Sequence, residues 1–171
     1  MASLAPGNSR LVLALSAAFA AALIGRCDAE SGGIHFRGPS STGKSTALIM
    51  AASVWGGGDG GEYVRSWRAT SNGLEGVALA HCDALLCLDE ISEVGPREAG
   101  EISYMLGNGS GKSRSTREGL AKPPSRWRLL FLSSGEVSLA DKIAEEGRSR
   151  RVTAGQSFRL AEERGKFGAR Q

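Results

Sequence analysis

The chain has 171 residues, of which 41% are hydrophobic and 23% charged, and its formal net charge is +3. These values are ordinary for one globular domain, which at this size can bury a core without disulfides or structural metals. The cysteines Cys27, Cys82 and Cys87 have no C-x-x-C spacing and no even-numbered framework, so we expect buried, reduced thiols rather than a disulfide scaffold. Neither His35 nor His81 has a partner at metal-ligand spacing, so no zinc site is expected.

The first predicted element is an Ala-rich helix. Residues 11–24 are apolar except for Ser16, and this run is shorter than the roughly 20 residues that a transmembrane helix needs. Arg10 precedes the run, which makes a signal peptide the alternative, but Arg26 directly before Cys27 disrupts the lipoprotein-like cleavage box. We therefore expect residues 1–30 to hold a helix packed on the domain, with no membrane association and a cytoplasmic location.

A phosphate-binding motif follows a predicted strand over residues 32–38 and opens a predicted helix over residues 44–55. The sequence from Gly38 to Ser45 fits the P-loop pattern G-x-x-x-x-G-K-[ST]. Gly38 and Gly43 allow the backbone to curl, so that its N–H groups and the helix N-terminus surround phosphate oxygens. Lys44 is expected to contact the β- and γ-phosphates and Ser45 to ligate Mg²⁺. The predicted nucleotide-binding residues are Gly38, Pro39, Ser40, Ser41, Thr42, Gly43, Lys44, Ser45 and Thr46.

The remaining elements alternate between strands and helices. Strands are predicted over residues 63–70, 84–88, 129–132 and 152–160. Helices are predicted over residues 74–79, with Ser71 or Asn72 as the cap, over 98–106 after Pro96, and over 138–146. The charged residues 161–171 are expected to form a frayed tail. The order predicts an α/β fold of the three-layer P-loop type (RecA/AAA-like), with a mainly parallel sheet of about five strands and an ATPase core over residues 31–160.

Two carboxylates follow the apolar run 84–88, as in a buried parallel strand that delivers acids to its carboxyl edge. We expect Asp89 to position Mg²⁺ and Glu90 to act as the general base for the attacking water. The alternative is a pair of surface carboxylates at the start of a loop. Ser134, at the end of a later strand, is the predicted contact to the γ-phosphate, and Glu136 beside it is left unassigned. The predicted catalytic residues are thus Glu90, Lys44 and Ser134, and the predicted metal ligands are Ser45 and Asp89.

A basic stretch, residues 107–128, precedes that later strand. Its cations are Lys112, Arg114, Arg117, Lys122, Arg126 and Arg128, against the single acid Glu118. Such a loop suits the backbone of single-stranded DNA, and a solvated loop is the equally weighted alternative. Trp127 fits a core position better than a base-stacking one. In a homo-oligomeric ring, an arginine from a neighbour would complete the site. The candidates are Arg114, Arg117, Arg148, Arg150, Arg151 and Arg159.

Several stretches together resemble the family called domain of unknown function 927. They are residues 33–45, 51–56, 67–75, 88–91, 132–136 and 154–159. As a whole, the resemblance covers most of the chain, from about Leu11 to Leu160. The family occurs in proteins of phages, plasmids and integrative elements, often joined to primase-type domains, and looks like a helicase-type P-loop ATPase domain. The resemblance implies a role in DNA replication of a mobile element, with a primase-type domain or partner.

Three functions are compatible with these motifs. The first is a Mg²⁺-dependent ATPase motor acting on DNA, with ATP favoured over GTP because no N-K-x-D motif is present. The second is a nucleotide-gated nucleic-acid-binding module that hydrolyses little ATP. The third is a small-molecule kinase, which the pair of Asp89 and Glu90 disfavours because an activated water would waste ATP.

Overall fold

The computed structural model describes residues 3, 5–56, 63–112, 114–115, 121–145 and 160–164. The strands are β1 (Gly32–Arg37), β2 (Val64–Ser66), β3 (Ala84–Asp89), β4 (Arg114–Ser115), β5 (Ala121–Lys122), β6 (Leu129–Gly135) and β7 (Leu160–Arg164). The helices are α1 (Ser9–Ala21), α2 (Lys44–Ala52), α3 (Ser71–Ala80), α4 (Pro96–Asn108) and α5 (Leu139–Ala144), with short 3-10 turns over Ser53–Trp55 and Ile91–Glu93.

Five strands form one sheet in the order β2-β3-β6-β1-β7, and each neighbouring pair is parallel. The α/β fold with a parallel sheet is therefore confirmed. Strand β6 lies between β1 and β3, so the strand before the P-loop motif and the strand that ends in Asp89 both pair with β6. Because all three strands run in the same direction, their carboxyl ends meet at one edge of the sheet.

The two faces of the sheet bury separate apolar clusters, as the alternation of side chains along a strand requires. Leu86 and Leu88 of β3 belong to a cluster with Phe131 of β6 and with α3 and α4. Leu85 and Cys87, on the other face of β3, belong to a cluster with α1 and α2. Helices thus cover both faces of the sheet, in three layers.

Helix α1 packs on α2 through small residues. The Asn8 side chain caps its N-terminus by accepting hydrogen bonds from the N–H groups of Arg10 and Leu11, at 3.2 and 3.3 Å. One helical face is buried, and it consists of Ala14, Ala17, Ala18 and Ala21. Among the described residues, no helix is both long and apolar enough to cross a membrane.

The structure corrects two expectations about β2 and α3. The strand predicted over residues 63–70 is shortened to Val64–Ser66. The backbone N–H of Trp67 still donates to the Asp89 carbonyl of β3 at 3.1 Å, but the Ala69 N–H turns back to the Trp67 carbonyl at 2.7 Å, which ends the pairing. Helix α3 is capped by Thr70 rather than by Ser71 or Asn72. The Thr70 side chain accepts a hydrogen bond from the Gly73 N–H at 3.1 Å.

Two further expectations need correction. Residues 160–164 form the edge strand β7, paired with β1, where a frayed tail was predicted from residue 161. The backbone of this segment is held by its pairing with β1, although its charged side chains gave no sign of a strand. The other residues of the predicted strand 152–160 lie outside the described part of the chain. Of the cysteines, only Cys87 is buried, since Cys27 and Cys82 lie in exposed turns after α1 and α3.

Candidate functional site

The loop between β1 and α2 contains two residues with left-handed backbone conformations. Ser41 has φ +60° and Gly43 has φ +84°. Gly38, by contrast, has no left-handed conformation, and its N–H donates to the Gly135 carbonyl at 3.2 Å. The loop is closed by the Thr42 hydroxyl, which donates to the Pro39 carbonyl at 2.7 Å.

The N-terminus of α2 has no side-chain cap. Its first helical hydrogen bond runs from the Ala47 N–H to the Gly43 carbonyl, at 3.0 Å. The N–H groups of Lys44, Ser45 and Thr46 therefore have no acceptor within the helix. Together with the helix dipole, these donors are suited to bind an anion. The loop residues before them are open to solvent, with Pro39, Ser40 and Ser41 all exposed.

Lys44 lies over this loop with only 6% of its surface exposed. Its ammonium group donates hydrogen bonds to the carbonyls of Gly38 and Pro39, at 2.9 and 2.8 Å. An ammonium has three N–H donors, so these contacts fix its position and leave a donor for a further acceptor. The cation is thus held beside the uncapped helix N-terminus, as the P-loop prediction requires.

Asp89 connects the P-loop segment to the middle of the sheet. The Ser45 hydroxyl donates to Asp89 Oδ1 at 3.3 Å, and the Ser134 hydroxyl donates to the same oxygen. A hydroxyl and a carboxylate are hard oxygen ligands of the kind that Mg²⁺ takes from proteins, with phosphates and waters completing its octahedron. The residues present therefore fit the ion, and the two predicted metal ligands lie in contact.

Ser134 holds the acidic pair from the neighbouring strand. Its oxygen accepts a hydrogen bond from the Glu90 N–H at 3.1 Å while its proton goes to Asp89. A hydroxyl has one donor, and here that donor is used within the protein. In this arrangement Ser134 orients Asp89 and Glu90, and its predicted contact to a γ-phosphate stays a prediction.

Glu90 occupies a strained turn directly after β3. Its backbone has φ +59°, a conformation that a non-glycine residue adopts at a cost of order 1–3 kcal/mol and that often occurs at functional sites. Its carboxylate oxygen Oε1 accepts hydrogen bonds from the N–H and the hydroxyl of Ser92, at 3.4 and 2.5 Å. Ser92 is not among the residues predicted from the sequence. A serine two residues after an acid is a local capping pattern that could have pointed to it.

A buried polar network lies beneath the site and was also missed from sequence. The Trp67 ring N–H donates to the Ser133 oxygen at 2.9 Å, and Ser133 lies 3.0 Å from His35 Nδ1. His35 Nε2 lies 2.9 Å from the Val137 carbonyl, which can only accept, so this nitrogen carries the proton. Ser133 then donates to Nδ1, and each of these polar groups of the network has a hydrogen-bond partner. The network ties β1 and β6 to the segment after β2.

Cys87 precedes Asp89 by two residues but is not a nucleophile. Burial, followed by the nearby Asp89 charge, raises the pKa of its thiol to about 12. A protonated thiol is a poor nucleophile and a poor metal ligand. Cys87 therefore acts as a small apolar residue of the cluster that α1 and α2 cover.

The basic stretch contains a short hairpin of β4 and β5. Trp127 is 3% exposed and belongs to the core, which confirms the core interpretation over base stacking. Lys112 lies 3.8 Å from Glu101, and Arg128 bridges Asp28 and Asp83 at 3.7 and 3.6 Å. The arginines predicted as candidates to complete a neighbour's site lie mostly outside the described residues. Arg114 is described only as part of β4, and Arg117, Arg148, Arg150, Arg151 and Arg159 lie outside the described residues.

Comparison with known protein families gives a match over most of the chain. The sequence profile of a family described as a domain of unknown function (DUF927) matches residues 1–126. This range contains the P-loop segment and the acidic pair, and it ends before β6. A search of curated proteins finds no match.

Proposed function

Since the chain belongs to the DUF927 family, a domain of unknown function, we propose a function from its site: a Mg²⁺-dependent P-loop domain that binds and hydrolyses ATP. One observation carries the proposal. The cation Lys44, the uncapped N-terminus of α2 and the carboxylate of Asp89 meet at the carboxyl edge of a parallel sheet. That edge is where α/β sheets bind ligands.

Phosphate binding rests on backbone donors and one cation. The N–H groups at the start of α2 donate to no capping side chain, and the left-handed residues Ser41 and Gly43 curve the loop around the same point. Such a nest binds the oxygens of a polyphosphate without regard to the base. The Lys44 ammonium supplies the positive charge that the β- and γ-phosphates require.

The bound ion would be Mg²⁺, held by Ser45 directly and by Asp89 through water. When bound, it supplies charge neutralisation at the β- and γ-phosphate oxygens. Ser134 keeps the Asp89 carboxylate turned toward Ser45, because its hydroxyl donates to the oxygen that also receives the Ser45 proton. The protein thus orients the metal ligands before the nucleotide arrives.

Hydrolysis needs a base next to the attacking water, and we assign this role to Glu90. Its N–H donates to Ser134 and its carboxylate accepts from Ser92, so contacts within the protein hold it without a nucleotide. General-base catalysis of this type contributes roughly 10²–10⁴-fold to a rate. The Lys44 ammonium and the α2 N–H groups stabilise the charge that develops on the transferred phosphoryl group.

The strand order supports a RecA/AAA-like arrangement. In this sheet β6, with Ser134 near its end, lies between the strand that leads into the P-loop and the strand that ends in Asp89. A polar side chain at the end of β6 can therefore contact both the P-loop after β1 and the acidic pair after β3. Ser134 has this position, through its hydrogen bonds to Asp89 and Glu90.

We extend the proposal to a helicase-like motor linked to DNA replication of a mobile element, assembled as a homo-oligomeric ring and working with a primase-type domain or partner. The support is what the sequence resemblance to this family implies, together with the basic stretch 107–128, which leads from the end of α4 to the strand that carries Ser134. A shift of β6 on hydrolysis would be transmitted directly to that stretch. Single-stranded DNA is the proposed ligand of its cations.

A second candidate is a nucleotide-gated nucleic-acid-binding module with little hydrolysis. It is favoured by the Glu90 carboxylate, whose contacts within the described residues are to Ser92 rather than to the P-loop. In such a module ATP would order the loops around the site without being turned over.

The deciding experiment is steady-state ATP hydrolysis with Mg²⁺, with and without single-stranded DNA, for the wild-type chain and Glu90→Gln. Turnover that DNA stimulates and that the variant lacks supports the motor. Binding of ATP without turnover in either protein supports the nucleotide-gated module. A wild-type chain that does not bind ATP at all contradicts both.

A further inference from the structure

We propose that Ser92 is the positioning residue for Glu90: its hydroxyl holds one carboxylate oxygen so that the other faces the attacking water. The inference rests on the proposed hydrolysis of ATP and adds a residue that neither the P-loop motif nor the acidic pair contains. It concerns the hydroxyl of Ser92 specifically, since the backbone contact of Ser92 exists whatever its side chain.

The two carboxylate oxygens of Glu90 differ in their hydrogen bonds. Oε1 accepts both hydrogen bonds from Ser92, at 3.4 Å from the N–H and 2.5 Å from the hydroxyl. Both donors hold Oε1, and within the described residues no hydrogen bond is made by Oε2, so we assign the water to Oε2. A base held by a third group in this way is the arrangement that activates many nucleophiles.

The scaffold holds the Ser92 turn from two sides, so the orienting group is itself positioned. Glu93, the next residue, accepts a hydrogen bond from the Ser66 hydroxyl at 2.7 Å, at the end of β2. On the other side, the buried Lys142 of α5 donates to the Ser92 carbonyl at 3.5 Å and pairs with Glu145 at 3.1 Å. A functional side chain needs such support to keep its geometry within about 0.5 Å.

The reaction balances with these groups alone and the substrates. The water oxygen forms a bond to the γ-phosphorus, the bond between that phosphorus and the β,γ-bridging oxygen breaks, and ADP leaves with the electron pair. The proton of the water passes to Glu90 Oε2. Ser92 exchanges no proton in this step and acts only by holding Oε1.

The test substitutes Ser92→Ala, which removes the hydroxyl but keeps the N–H that donates to the Glu90 side chain at the start of the 3-10 turn. Ser92 is exposed, so the change opens no cavity in the core. We expect kcat to fall on the order of tenfold, the scale of a misplaced catalytic group, with KM for ATP unchanged. Ser92→Thr keeps a hydroxyl and should restore most of the rate. Ser53→Ala, which removes a hydroxyl bound to the Met50 carbonyl after α2, is the matched control.

Two further readouts separate positioning from a structural effect. Calorimetric titration should give Ser92→Ala the wild-type affinity for ATP with Mg²⁺ but an affinity roughly tenfold weaker for ADP with aluminium fluoride, which mimics the transferred phosphoryl group and recruits the water. In a Glu90→Gln background, Ser92→Ala should lower the residual rate no further, because residues that act as a unit are not additive.

Several outcomes would overturn the inference. An unchanged or increased kcat in Ser92→Ala, equal loss of both ligands, or an additive loss in the Glu90→Gln background each means that Ser92 does not orient the base. If the wild-type chain itself binds ATP without turning it over, the proposed hydrolysis has failed and the inference fails with it. That result is distinguishable, because it appears before any variant of Ser92 is compared.

Discussion

The Ser45 hydroxyl donates a hydrogen bond to the Asp89 carboxylate at 3.3 Å, across 44 positions of the chain. This contact joins the start of α2 to the end of β3. Ser45 was predicted from the P-loop motif and Asp89 from the acidic pair after an apolar strand, and neither pattern implies the other. Their contact, with Ser134 on the same carboxylate oxygen, is the strongest reason to regard the two patterns as one site.

Lys44→Ala should lower the affinity for ATP by on the order of tenfold or more, because charge-assisted hydrogen bonds contribute roughly 1.5–3 kcal/mol. Calorimetric titration with Mg²⁺ and ATP measures this affinity. Arg97→Ala is the control, since Arg97 is an exposed cation that pairs with Glu101 on α4. The Arg97→Ala variant should bind ATP with the wild-type affinity. Unchanged affinity in Lys44→Ala would contradict the P-loop assignment.

Glu90→Gln should keep ATP affinity and lower turnover by about 10²-fold or more, since the amide cannot accept the proton of the water. Glu30→Gln provides the control, because Glu30 is exposed and lies before the start of β1, at the edge of the sheet opposite to the site. Steady-state phosphate release is the measurement. Should both variants lose turnover equally, the base would not be Glu90.

Gly33→Ala should destabilise the fold, because a Cβ at Gly33 would lie 2.3 Å from the Phe131 ring across the pair of β1 and β6. Overpacking of this kind costs typically 1–3 kcal/mol of unfolding free energy. Gly76→Ala is the matched control: nothing lies within 4 Å of the new Cβ in α3, so the substitution should stabilise by about 0.5–1 kcal/mol. Urea denaturation compares the two, and equal effects would contradict the close approach at Gly33.

The sequence predicts what depends on local pattern. The strand predicted over residues 84–88, the helix after the P-loop and the packed Ala-rich helix near the start all follow from the runs of apolar residues and from the glycines around them. Lys44, Ser45, Asp89 and Glu90 of the candidate site were also singled out, because P-loop and acidic-pair motifs select residues by type and spacing.

What the sequence does not contain is the pairing of distant groups. His35, Ser133 and Trp67 are each unremarkable in their own segments, and only the strand order brings them into one buried network. For the same reason the hydrogen bond from the Ser134 hydroxyl to Asp89 was not predicted, and the predicted contact of Ser134 to a phosphate stays a prediction. The left-handed conformation of Ser41 was missed because glycine is the residue that ordinarily marks such a turn.

Alkaline pH should destabilise the protein through Cys87. Burial raises the pKa of its thiol from an ordinary value of 9.0 to about 12, so the unfolded chain releases this proton at lower pH than the folded one. The stabilisation is complete below pH 9 and is lost as pH rises toward 12, at up to about 1.4 kcal/mol per pH unit. Burial also raises the pKa of Tyr63, which acts in the same direction.

The prediction is checked by urea denaturation between pH 8 and pH 11, with Cys87→Ala beside Cys82→Ser. Cys87→Ala removes the titrating thiol, so its unfolding free energy should fall less steeply with pH than that of the wild type, whatever the cost of the cavity. Cys82 is exposed, and its substitution should leave the slope unchanged. A native thiol assay at pH 8 gives an independent test: Cys27 and Cys82 should react at once, and Cys87 only on unfolding. Rapid reaction of all three thiols in the native protein would show that Cys87 is not shielded by α1 and α2.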